Sequence, residues 1–142
     1  MQQTKEYLGR VRELTGMIAA KQGEIETLRS IALSITANSE GERVKSSSKP
    51  DKMAEAVTGY VEAKRELNEL VSSLFAARRE IVDVLGRLEG QLYYIVLSMY
   101  YLQGKSFAEV AEATHYSYQY ILEVHRTAVL RVRDILQNTC EK

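Results

Sequence analysis

The sequence has 142 residues, 45% of them hydrophobic, with one proline, no tryptophan and a formal net charge of zero. That length allows one or two small domains, and zero charge excludes a strong overall field drawing the chain to nucleic acid. Cys140 stands alone, which excludes an internal disulfide and fits a reducing cytoplasm; no apolar run approaches the ~20 residues of a membrane span, and Met1–Glu6 lacks the apolar core of a secretory leader.

A first long helix is predicted over Thr4 to Thr36. Tyr7, Val11, Leu14, Ile18, Ile25, Leu28, Ala32 and Ile35 recur at alternating steps of four and three, with Lys21 the one polar residue in the series. Sustained 3.5-residue periodicity is the coiled-coil signal. Gly9, Gly16 and Gly23 each weaken this helix by about 0.8–1 kcal/mol relative to Ala, so packing has to hold it.

Ala37 to Lys49 loses the periodicity and is rich in serine and basic residues, which predicts a loop over residues 37–50. Arg43 and Lys45 in it are candidate phosphate contacts. Pro50 suits the start of the next helix. From Met53 a second seam runs through Val57, Tyr60, Lys64, Leu67, Val71, Leu74, Arg78, Ile81, Leu85 and Leu88, with Lys64 and Arg78 as polar exceptions. Two such helices joined by about a dozen residues are expected to fold back as an antiparallel hairpin. Val61, Leu70, Ala77, Val82 and Val84 widen the apolar stripe of the second helix beyond what one partner covers, which implies a further surface, the C-terminal domain or a second copy of the chain.

The C-terminal third reads as three helices with two tight breaks. Gln103-Gly104-Lys105 is the first; Gly104 suits positive φ after a helix ending near Leu102. Ser106 then has N-cap character, with Glu109 three residues on. Phe107, Val110 and Ala111 give the short helix Phe107 to Thr114 an apolar face. A turn at His115-Tyr116 leads to Ser117, a second N-cap candidate, and a longer helix with Ile121, Val124, His125, Ala128, Val132 and Ile135 on its inner stripe. Short helix, tight turn, longer helix is the helix-turn-helix pattern, whose second helix enters the DNA major groove.

Met99-Tyr100-Tyr101, Gly104, Ser106, Glu109-Val110-Ala111, Ser117, Ile121 and Ala128 together resemble region 4 of the sigma-70 family, the part that reads the promoter −35 element. Tyr100 stands where that family carries arginine. The whole chain also resembles small phage and prophage transcription regulators, with Arg43-Val44-Lys45-Ser46-Ser47 as their characteristic loop. The resemblance implies double-stranded DNA as partner, with RNA polymerase a second candidate. It lacks the promoter-melting region of a complete sigma factor.

Residues 88–142 hold five cations against six anions, so local placement has to carry any DNA binding. Stepping 100° per residue from a buried Ile121 puts Gln119, Leu122, Glu123, Arg126, Leu130 and Arg133 on the outer face, flanked by Tyr118. Arginine reads guanine, glutamine reads adenine and glutamate accepts from cytosine in the major groove. The predicted DNA-binding set is Ser117, Tyr118, Gln119, Tyr120, Leu122, Glu123, Arg126 and Arg133, with Lys105 a further phosphate contact. No metal-ligand cluster, phosphate loop or nucleophile–base pair is legible, so no enzyme activity, metal or cofactor is expected.

The expected architecture is all-α, a coiled-coil helical hairpin over residues 1–89 followed by a helix-turn-helix domain over 90–142. The expected function is DNA-binding transcription regulation without a membrane, with a homodimer through the hairpin as a candidate assembly. The competing readings are a phage assembly protein of the small-terminase type and a helical module that docks protein.

Overall fold

A computed structural model describes residues 1–41 and 48–140, with the side chains of residues 36, 38–41 and 48–50 outside the description. All its regular structure is helical: α1 (Gln2–Leu8), α2 (Arg10–Gly41), α3 (Ser48–Leu85), α4 (Gln91–Leu97) continued by one π turn (Ser98–Leu102), α5 (Phe107–Thr114) and α6 (Tyr118–Cys140). The protein is all-α, with a helical hairpin followed by the C-terminal helices. Helices reach Gly41 and resume at Ser48, so the irregular segment expected over 37–50 is largely helical at both ends. Arg43, Lys45 and the rest of the Arg-Val-Lys-Ser-Ser loop lie outside the described residues.

The first helix is divided at Gly9, where the helical assignment breaks although Gly9 N–H still donates to Lys5 O and Glu13 N–H to Gly9 O. The chain falls into two compact units, Met1–Leu14 with Leu74–Lys142, and Thr15–Ser73. This division differs from the 1–89 and 90–142 one expected from the sequence, because α1 and the start of α2 share a core with the C-terminal helices.

In the Thr15–Ser73 unit the two helices run antiparallel. Lys21 Nζ lies 2.6 Å from Glu66 Oε2, and a Cβ at Gly59 would sit 3.7 Å from Leu28. Both pairs sum to 87, so one register serves the unit. Lys21 also bonds Glu24 at 2.9 Å, and its hydrogen bond to Glu66, more than any other cause, holds the ammonium charged.

The buried face of α3 corrects the predicted seam. Met53, Tyr60, Leu67, Leu74, Ile81 and Leu88 are at least partly buried as expected, but the alternate positions are Ala56, Ala63, Leu70, Ala77 and Val84. Val57, Lys64 and Arg78 are exposed, while Val71 is partly buried and Leu85 fully buried as expected. Lys64 and Arg78 are therefore solvated cations rather than polar breaks in a seam; Lys64 Nζ rests 5.0 Å from the Tyr60 ring centre. The seam steps three then four rather than four then three, with alanine at three of the five alternate positions, Ala56, Ala63 and Ala77.

In the other unit, Leu8, Val11, Ala77, Ile81, Val84, Leu85, Leu97, Tyr101, Ala128, Val129 and Val132 form one buried core. Val96, Val110, Ala111, Ile121 and Val124 form a second, flanked by Leu92, Tyr93, Met99 and Phe107. Helix α6 joins both, its first half packing on α4 and α5 and its second half on α1.

Candidate nucleic-acid interface

The short helix starts because its cap is satisfied: Glu109 N–H donates to Ser106 Oγ at 3.2 Å, and Val110 N–H to the Ser106 carbonyl at 2.9 Å. The first bond satisfies one of the orphan donors of the helix N-terminus, and the second is the first intrahelical bond. It ends at His115, whose φ of 63° is left-handed, a conformation that costs a residue with a side chain roughly 1 kcal/mol. Two residues later Ser117 repeats the device, its Oγ accepting from Tyr120 N–H at 3.2 Å and its carbonyl from Ile121 N–H at 3.0 Å. The result is a three-residue turn between two capped helices. The apolar faces of Val110 and Ala111 meet Ile121 and Val124 in one core.

Upstream, Gln103 N–H reaches back five residues to the Ser98 carbonyl at 3.0 Å, and Gly104 takes φ 73°. The wide turn brings two consecutive tyrosines against the helix-turn-helix. Tyr100 stacks on Phe107, centroids 4.1 Å apart and planes 4° apart. Tyr101 is buried, and its hydroxyl lies 2.8 Å from His125 Nε2. Burial, more than any neighbouring charge, pushes the Tyr101 phenol up to about 12. Burial, assisted by the charge of Lys5, pushes the His125 imidazole down to about 4. A neutral imidazole therefore bonds a neutral phenol, and neither group carries buried charge. Arg12 lies over the Tyr100 ring, Cζ 4.6 Å from its centre, so the ring carries Phe107 and a guanidinium as neighbours.

The inner stripe of α6 is where the sequence put it: Ile121, Val124, His125, Ala128 and Val132 are buried, and Ile135 partly so. Val129 is the addition. It belongs to neither the inner stripe nor the outer face expected from the sequence, and it is fully buried in the same core as Leu8 and Val11. The expected reading face is thus split. Ser117, Tyr118, Gln119, Tyr120, Glu123 and Arg126 are exposed, and Leu122 and Leu130 are half-buried. Arg133 is half-buried beside Gln3 and Thr4 of α1, with its Nε enclosed and unpartnered and its Nη2 3.7 Å from Asp134. Glu123 and Tyr120 border a hollow with Gly90 and Tyr93. Tyr116, absent from the expected set, is exposed at the turn with its ring 5.0 Å from Tyr120; a position inside the turn gave no periodic signal.

Lys105 is half-buried just before α5. Among the described residues no group of three or more histidine, cysteine or acidic side chains is arranged to hold a metal ion, and no described helix is long and apolar enough to cross a membrane. No family model, curated protein or solved structure matches this chain.

Proposed function

We propose that the protein is a DNA-binding transcription regulator that reads promoter or operator DNA with the N-terminal part of α6, from Tyr118 to Arg126, and that RNA polymerase is a further partner. The observation that carries this reading is the outer face of α6: after the Ser117 cap, Ser117, Tyr118, Gln119, Tyr120, Glu123 and Arg126 are exposed, whereas Val129, further along, is buried in the core that holds Leu8 and Val11. Helix-turn-helix proteins contact base edges with the N-terminal residues of the recognition helix. Gln119 and Arg126 are seven residues apart, about two turns, and both suit one major groove.

The test is selection of bound sequences from a random duplex pool, followed by Arg126→Ala. The variant is expected to lose ~1–3 kcal/mol on the preferred site and to relax base choice at one position. Retained affinity and base preference in a folded variant would remove α6 as the reading element.

A homodimer through the hairpin belongs to the same proposal. Within Thr15–Ser73 only Ala56 and Ala63 are buried among the described residues, while Leu33, Val57 and Val61 are exposed. A pair of helices this poorly covered gains by packing on a second copy. Val57→Glu with Val61→Glu is expected to shift the mass in solution from dimer to monomer; an unchanged mass removes this surface from the assembly.

A further inference from the structure

We infer that the N-terminal segment supplies additional phosphate contacts to bound DNA, through Lys5 and Arg12 acting beside Lys105 at the start of α5. This rests on the DNA-reading proposal and adds to it a binding edge outside the helix-turn-helix. The placement follows from a chain of ring contacts. Arg12 Cζ is 4.6 Å from the centre of the Tyr100 ring, and that ring stacks at 4.1 Å on Phe107, the first residue of α5. Arg12 therefore sits two ring layers from the N-terminus of the first helix of the helix-turn-helix, two residues beyond Lys105. Lys5 lies seven residues before Arg12, two helical turns along. It is close enough to disfavour protonation of His125, whose ring contacts both Tyr100 and Phe107.

Lys5 and Arg12 are exposed, and among the described residues neither they nor Lys105 enter an ion pair. Arg10, on the same segment, differs: it bonds Glu80 at 3.3 Å. Glu109 is the one acidic residue in the first turn of α5. The first helix of a helix-turn-helix crosses the phosphate backbone, and phosphate contacts fix register without reading sequence. The charge balance of the compact unit agrees. Residues 88–142 carry one more anion than cations, but Met1–Leu14 brings three cations against two anions, and residues 74–87 do the same. The unit as a whole is thus positive by one, and a bare C-terminal third is not.

The experiment uses the full chain and a duplex recovered from the random pool, with affinity measured across a salt series. Lys5→Gln combined with Arg12→Gln is expected to flatten the plot of log affinity against log salt by about two units, roughly 0.9 per phosphate contact, and to weaken all sequences alike. Base preference should stay that of the wild type, and Arg12→Lys should keep the slope. If the double variant melts early, Lys5→Gln alone, which removes no ring contact, should still flatten the slope by about one unit. A wild-type slope in folded variants, while Arg126→Ala still relaxes base choice, overturns this inference and leaves α6 as the reading helix. If the wild-type chain binds no duplex, the DNA-reading proposal fails, and the phosphate edge fails with it.

Discussion

His125 sits in a nest of rings, edge-on to Phe107 and Tyr100 at 4.9 and 5.5 Å and bonded to the Tyr101 hydroxyl. Its imidazole is neutral in the folded chain down to about pH 4, against about 6.5 when unfolded. The unfolded chain binds the extra proton between those values, so this contribution is complete above about pH 6.5 and is lost as pH falls towards 4. After allowance for partial solvation of the ring, the change is ~2 kcal/mol. Melting temperature should therefore fall between pH 6.5 and 4.5, and His125→Phe should blunt that fall while orphaning the Tyr101 hydroxyl at about 1 kcal/mol. An equal fall in the variant would place the acid sensitivity elsewhere. The spacing of α6 made His125 legible as a core-edge residue. Its partner was not legible, because Tyr101 is 24 residues away and reaches it only through the π turn.

At the scale of the element, α5, its cap at Ser106 and the turn before Ser117 were legible because their determinants are local: a hydroxyl three residues before the N–H it accepts from, and a short apolar face. The seam of α3 was half legible. Its positions through Met53, Tyr60 and Leu67 are large and periodic, but alanine carries little hydrophobic signal, and Val57 and Val71 offered an equally regular alternative beside Ala56 and Leu70. The two registers predict different outcomes. Ala63 is 3% exposed, so Ala63→Leu should overpack the hairpin and cost about 1–3 kcal/mol, read by denaturant unfolding. Lys64→Ala should cost under about 0.5 kcal/mol, because the side chain is solvated. A reversed order would restore Lys64 to the seam.

At the scale of the molecule, the packing of α1 on α6 had no sequence signal. Val129 fell in neither face of the helical projection, and Leu8 and Val11, which share its core, stand at the other end of the chain. Leu8→Ala should destabilise the C-terminal helices by about 2–4 kcal/mol, visible as lost hydrogen-exchange protection at the amides of Ala128 to Val132. Protection unchanged there would mean that α6 holds its place without α1. The same packing sets an order of events during synthesis. Leu8 and Val129 are separated by 121 residues (129 minus 8), and at ~5–20 residues per second the first waits about 6–24 s for the second to be made. Throughout that interval the apolar faces of α1, α2 and α3 at Leu8, Val11, Ala77, Ile81 and Leu85 lack their final cover. Apolar surface therefore stays uncovered until α6 is made, and ribosomes stalled before residue 128 are expected to retain holdase chaperones that chains stalled well after α6 has emerged release, read by co-purification.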